Sequence, residues 1–225
     1  MLNLEQYSLK IKMTKIQEDI QTQCIEVLQK LINTTSFSKE EEKAAEVIRK
    51  FLKSKKIAFE TKQNNTWVKN KHYNFLKPTI LLNSHIDTVK PVNGWVHDPF
   101  SAIIEDDKLI GLGSNDAGAS LVALLATFLH FYDKEDLKYN LIFAATAEEE
   151  ISGKNGIELI EDITSACEFA IVGEPTEMKM AIAEKGLLVI DGEVKGKAGH
   201  AARNEGVNAI YLAMIDVQWF QNYQF

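Results

Sequence analysis

The 225-residue chain is 45% hydrophobic and 25% charged, the balance of a globular protein. Its formal charge of −7, with no basic stripe, argues against a nucleic-acid partner, and no apolar run approaches the roughly 18 residues that cross a bilayer, which argues against a membrane one. Two lone cysteines, Cys24 and Cys167, and a Met1–Met13 stretch without the apolar core of a signal peptide point to the cytoplasm, with Met13 an alternative start.

Residues 15–32 place Ile16, Ile20, Cys24, Val27, Leu28 and Leu31 at helical spacing and predict an amphipathic helix. Ser38 and Glu41 read as a capping box for a second helix, with Ala44, Ala45, Val47, Ile48, Phe51 and Leu52 as its core face and Lys53, Lys55 and Lys56 at its end. Strands are expected near Ile57–Thr61 and Thr66–Lys69, then a buried one over 79–84, followed by a loop holding Pro91, Gly94, Trp95 and Pro99. Gly111-Leu-Gly-Ser-Asn-Asp-Ala-Gly118 is a turn that opens onto a helix, Ala119–Tyr132, so apolar all round that burial is expected. Leu141–Ala147 reads as a buried strand with acids at its end, a helix is expected near 154–162, and Glu168–Val172 as a short strand ending in Gly173-Glu174-Pro175-Thr176.

Alternating strands and helices predict an α/β fold, a mostly parallel mixed sheet flanked by helices. Ligands of such sheets gather beyond the carboxyl ends of the strands, where His85, Glu148–Glu150 and Glu174 fall. After Pro175 the pattern changes. Gly186–Val194 alternates like a strand, Gly196–His200 follows, and a helix is expected from Val207 to about Phe220. The expected division is a metal-binding catalytic domain over 1–178 and the beginning of an α+β domain over 179–225.

The candidates for chemistry are His85, Asp87, Asp116, Glu148, Glu149, Glu150, Glu174 and His200. His85 and Asp87, two apart at a strand end, point to one side. There the carboxylate accepts from one ring nitrogen and leaves the other for a metal. Carboxylates with a few histidines are ligands of zinc, cobalt or manganese. A two-metal site needs a bridging carboxylate, and a further glutamate that is not a ligand takes the proton from water. Consecutive glutamates split such roles, although Glu148–Glu150 alone equally reads as a solvated first helical turn. Gly111–Gly118 lacks the third glycine of a dinucleotide loop and the Lys-Ser/Thr of a phosphate loop.

The segments His85-Ile-Asp-Thr-Val89, Gly111–Gly118, Thr146-Ala-Glu-Glu-Glu150, Gly173-Glu-Pro-Thr176, Glu184-Lys-Gly186 and Gly199-His-Ala-Ala-Arg203 resemble the co-catalytic metallohydrolases that include acetylornithine deacetylase, succinyl-diaminopimelate desuccinylase, aminoacylase and glutamate carboxypeptidase. Gly113–Gly118 and Trp95–Phe100 are most similar to the acetylornithine deacetylase branch. The resemblance implies a phosphorylase/hydrolase-like sheet followed by a lid or dimerisation domain. It implies two zinc ions, or cobalt or manganese, with His85 and Glu174 on one, Glu150 on the other and Asp116 bridging. Asp87 would orient His85, Glu149 would be the general base, Glu148 would have no direct role, and His200 would stabilise the oxyanion, in several relatives across a homodimer.

The implied reaction is hydrolysis of a small N-acyl amino acid, as in arginine biosynthesis. Desuccinylase, aminoacylase and dipeptidase activities are alternatives within the class, and an inactive remnant or subunit-interaction piece lies outside it. The last family ligand, a histidine after the second domain, has no counterpart here. The second metal's shell is therefore expected to be incomplete, and the aromatic Trp219–Phe225 segment to be uncovered.

Overall fold

The computed structural model describes residues 14–183, 185–203 and 205–224; the Met1–Met13 stretch and Glu184 of the Glu184-Lys-Gly motif lie outside the described residues. The chain divides into two compact units, one running to Lys179 and one from Met180.

The first unit opens with α1 (Lys15–Ile32) and α2 (Glu42–Ser54). Thr14 and Gln17 form a reciprocal cap on α1: the Thr14 hydroxyl accepts from the Gln17 N–H and the Gln17 side chain accepts from the Thr14 N–H. The cap expected from Ser38 and Glu41 does not form, and no side chain caps α2. Ser38 donates instead to Asp87, 49 residues away, and Glu41 turns inward. Ser38 finds in the Asp87 carboxylate a stronger partner than a helix end offers, and Glu41 gains donors from Asn64 and the Glu148 N–H.

β1 (Glu60–Lys62), β2 (Asn65–Lys69), β3 (Thr79–His85), β6 (Asn140–Thr146) and β7 (Phe169–Val172) form one sheet in the order β1-β2-β6-β3-β7. β3 runs parallel to β6 and β7, with Thr79 opposite Asn140 and Asn83 opposite Val172; β1 and β2 close the other edge antiparallel. The result is a mixed sheet flanked by helices. A small hairpin, β4 (Ile103–Glu105) with β5 (Lys108–Ile110), leads into the Ser114–Ala119 turn and α3 (Ser120–Phe131).

The period of two sorts the sheet's side chains. Val68, Leu82, Leu141, Phe143 and Ala145 pack with buried residues of α1, α2 and α3; Trp67, Leu81, Ile142 and Ala144 pack with Ile160, Ile163 and Cys167. Phe128 of α3 is fully buried against Phe143 and Tyr132. Each such side chain contributes about 1.5–3 kcal/mol by leaving water. α3 is not buried all round: Ala123 and Thr127 are exposed, and Leu121, Val122, Leu125 and Phe128 form the inner face. Ile16, expected inside, is exposed at the start of α1.

At the amino ends of β3 and β6, amides fix the register. The Asn140 side chain donates to the Asn74 and Lys77 carbonyls and accepts from the Asn74 N–H, while the Asn70 side chain accepts from the Leu141 N–H.

The helix expected near 154–162 is replaced by a tight turn, Ile157–Ile160, and one helical turn, α4 (Glu161–Thr164). The reason lies upstream, where the Glu148 carboxylate binds both the backbone and side-chain amides of Asn155 and holds the chain in a loop.

In the second unit, α5 (Ala209–Asn222) is capped by the Asn208 side chain. The strand expected over Gly186–Val194 does not form, and Leu187–Ile190 are exposed. Alternation alone does not make a strand; it needs a hydrogen-bonded neighbour, and among the described residues the unit's only ladder pairing joins Lys197 to Val207. No helix is long and apolar enough to cross a membrane among the described residues.

Candidate metal centre

His85 ends β3, Thr146 ends β6 and Val172 ends β7, so the chain segments that follow all leave from one rim of the sheet. His85 is buried, with Nδ1 2.9 Å from the Asp87 carbonyl oxygen and 3.3 Å from its carboxylate. Both neighbours are acceptors, so Nδ1 carries a hydrogen and Nε2 faces outward. From Nε2, carboxylate oxygens of Asp116, Glu149 and Glu174 lie at 3.2, 3.8 and 3.8 Å.

Asp116 arrives from the Ser114–Ala119 turn, where the Asp116–Ala117 peptide is cis. That turn depends on Gly113: its φ of 73° is left-handed, and a Cβ there would meet Thr88 Cγ2 at 2.6 Å. Glu174 follows β7, whose end is held by Ser84 donating to the Gly173 carbonyl at 2.8 Å.

Asp87 is the hub of the site. It is buried, and its carboxylate takes donors from Ser38 Oγ at 2.8 Å, Glu149 N at 3.1 Å and Glu150 N at 3.2 Å, besides the imidazole. Burial pushes its pKa up, but the hydrogen bonds from His85, Ser38 and Glu149 outweigh that and hold the carboxyl below the usual range. For His85, burial works against the charged ring, yet Asp87 and Glu174 together raise its pKa to about 11. Burial raises Glu149 and Glu150; the positive His85 pulls Glu149 back, and the neighbouring carboxylates push it further up.

The arrangement could hold a cation. Ligand atoms of His85, Asp116 and Glu174 lie within 4.8 Å of one another, one nitrogen and two oxygens, a donor set suited to zinc, cobalt or manganese. Without a metal, the His85 proton is what balances the surrounding acids.

The structure therefore brings His85, Asp87, Asp116, Glu149 and Glu174 together. Glu150 shares the hub through its backbone but is not in the three-residue ligand group. Glu148 points the other way, towards Asn155. His200 belongs to the second unit, where it is exposed and its Nδ1 accepts from the Ala202 N–H at 3.2 Å. Two residues that support the site escaped the sequence reading as site residues, Ser38 at the hub and Glu41 on the Glu148 N–H; their Ser-x-x-Glu signal was visible, but it reads locally as a cap.

A family model described as "Peptidase family M20/M25/M40" matches residues 81–224. Among curated proteins, acetylornithine deacetylase of Erwinia tasmaniensis is 36% identical over 135 residues, 59% of this chain and 35% of that protein. The chain thus spans about a third of the length of the curated relatives it matches. Among solved structures, a Staphylococcus aureus tripeptidase aligns with a TM-score of 0.57 at 19% identity, over 88% of this chain and 56% of that one. The Bacillus subtilis YXEP protein, titled a dinuclear metal binding peptidase, aligns with a TM-score of 0.52 at 17% identity, over 69% and 43%. These likenesses show a common fold, the mixed helix-flanked sheet of their catalytic domains. Because the family match covers well over half of the sequence, from within β3 to just past α5, this chain belongs to peptidase family M20/M25/M40.

Proposed function

We propose that the chain carries the metal-binding, water-activating core of an amidohydrolase that removes the acyl group from an N-acyl amino acid, as acetylornithine deacetylase does. The observation that carries this reading is the convergence of Asp116, Glu149 and Glu174 on Nε2 of a buried, carboxylate-oriented His85. In this reading the first unit is the catalytic domain and the second begins a lid or dimerisation domain.

His85 and Glu174 would hold one ion, Glu150 would serve a second, and Asp116 would be a ligand available to both. The chemistry such ions supply when bound, zinc or else cobalt or manganese, is Lewis acidity toward the scissile carbonyl and the attacking water. The rest falls to the chain. Asp87 holds His85 in the tautomer that frees Nε2. Glu149, raised by burial and by its acidic neighbours, takes a proton from water on its carboxylate. The water oxygen bonds to the acyl carbon, the C–N bond breaks, and Glu149 delivers the proton to the leaving nitrogen. The products are a carboxylate and a free amino acid. His200 is assigned to oxyanion stabilisation, within a homodimer, and the two lone cysteines support a cytoplasmic setting.

The test is amine release from N-acetylornithine, N-succinyl-diaminopimelate and a dipeptide, with zinc or cobalt supplied. Turnover of N-acetylornithine alone supports the reading; turnover of the dipeptide alone moves the chain to the dipeptidase alternative. Uptake of metal with no turnover favours the subunit-piece reading. Glu149→Gln should abolish turnover and leave metal binding intact.

A further inference from the structure

Three successive backbone N–H groups in the glutamate turn each donate to a carboxylate. Those of Glu149 and Glu150 reach the two oxygens of Asp87, and that of Glu148 reaches Oε1 of Glu41 at 3.2 Å. Glu41 is fully buried and, among the described residues, has no ion-pair partner; it accepts only from Glu148 N, Lys39 N at 2.6 Å and Asn64 Nδ2 at 2.8 Å. A helix cap calls for neither such burial nor a partner 107 residues away. A buried carboxylate held by neutral donors alone is costly, and the turn it grips accounts for its place.

That turn needs gripping. Glu148 sits at φ 54°, left-handed, a conformation that a side chain with a Cβ adopts at some cost. Its carboxylate is fixed on Asn155 and its N–H on Glu41, and this twist directs Glu148 away from His85 while Glu149 faces it. Ser38, three residues before Glu41, holds the hub from the other side through its 2.8 Å bond to Asp87, and the Thr88 N–H bond to the Ser36 carbonyl ties the two segments together.

We propose that Ser38 and Glu41 are positioning residues of the metal centre: Ser38 fixes the rotamer of Asp87, and Glu41 fixes the turn that presents Glu149 and Glu150. The inference rests on the metal-centre reading above. It is tested on the full chain, stripped with chelator and titrated with Co2+ by calorimetry, with the visible Co2+ spectrum and the metal-free melting temperature recorded alongside. Ser38→Ala should weaken Co2+ binding about tenfold, within the range known for groups that orient metal ligands, and move the metal-free melting temperature by only a few degrees. Ser38→Thr, which keeps the hydroxyl, should restore affinity and spectrum.

Glu41→Ala should weaken binding similarly, and Glu41→Gln, which keeps an acceptor for the Glu148 N–H, should stay within about threefold of wild type. Wild-type Co2+ affinity in both alanine variants overturns the inference and leaves the metal reading standing. A threonine variant as weak as the alanine one reduces Ser38 to packing and overturns its part. A Glu41→Ala chain that does not fold assigns Glu41 to the framework and overturns its part. A wild-type chain that takes up no Co2+ refutes the metal reading and this inference with it.

Discussion

Asp87→Asn isolates what the hub carboxylate does, because it changes charge and acceptor count with almost no change of shape. The carboxylate receives Ser38 Oγ, His85 Nδ1, Glu149 N and Glu150 N. An asparagine offers one oxygen and one NH2 in their place. The oxygen can serve the imidazole and the Glu149 N–H, and the Ser38 hydroxyl can rotate to accept from the new NH2. The Glu150 N–H then faces a donor. An orphaned buried N–H costs about 1–3 kcal/mol, and bonds to a charged acceptor exceed neutral ones by about 1 kcal/mol each. Relief of repulsion among Asp87, Glu149, Asp116 and Glu174 offsets part of this. We expect a net loss of about 2–4 kcal/mol, read from urea unfolding of the metal-free chain at pH 7, and a Co2+ affinity lower by about 10–100-fold. A variant as stable as wild type would refute the hub argument, because the four donors would then have had no need of a carboxylate.

Gly113→Ala combines a left-handed backbone with a Cβ 2.6 Å from Thr88 Cγ2 and should destabilise by about 1–3 kcal/mol in the same assay. Phe128→Ala empties a fully buried site beside Phe143 and should cost about 3–5 kcal/mol, with an unchanged urea slope if the rest of the fold holds. Burial pushes the Cys24 thiol from 9.0 to about 11, against the pull of Lys55. Since the folded-state value is the higher one, the stability tied to this thiol is full below about pH 9 and is lost as pH rises towards 11, by up to about 2 kcal/mol. Unfolding free energies measured from pH 8 to 11 should therefore fall less steeply in Cys24→Ala than in wild type; parallel curves would count against the burial argument.

How much of this was legible depended on whether a residue's partner lay nearby in sequence. β3 and β6 announce themselves as apolar runs, and their shared carboxyl rim follows from parallel pairing, so His85, Glu149 and Glu174 were readable as neighbours. The β4–β5 hairpin was missed: each strand has three residues, and its turn uses Asp106 and Asp107 at positive φ, not the glycine that usually marks such a corner. Ser38 and Glu41 misled for a different reason. Their spacing satisfies a local rule, but the competing acceptor and donor, Asp87 and Glu148, come from other loops, and no window of sequence contains both. The strand expected over Gly186–Val194 shows the same limit, since alternation records a preference and pairing decides it.

The two rims of the sheet are latched by different chemistry. At one, Asn70 and Asn140 stitch the strands with carboxamides that have no proton to gain or lose; at the other, Asp87 gathers its partners as an anion. Because that carboxyl is held below the usual range, mild acid leaves the latch shut; strong acid acts on the molecule like a zip opened from one end, slackening the loops that bear the acids while the opposite hem stays sewn.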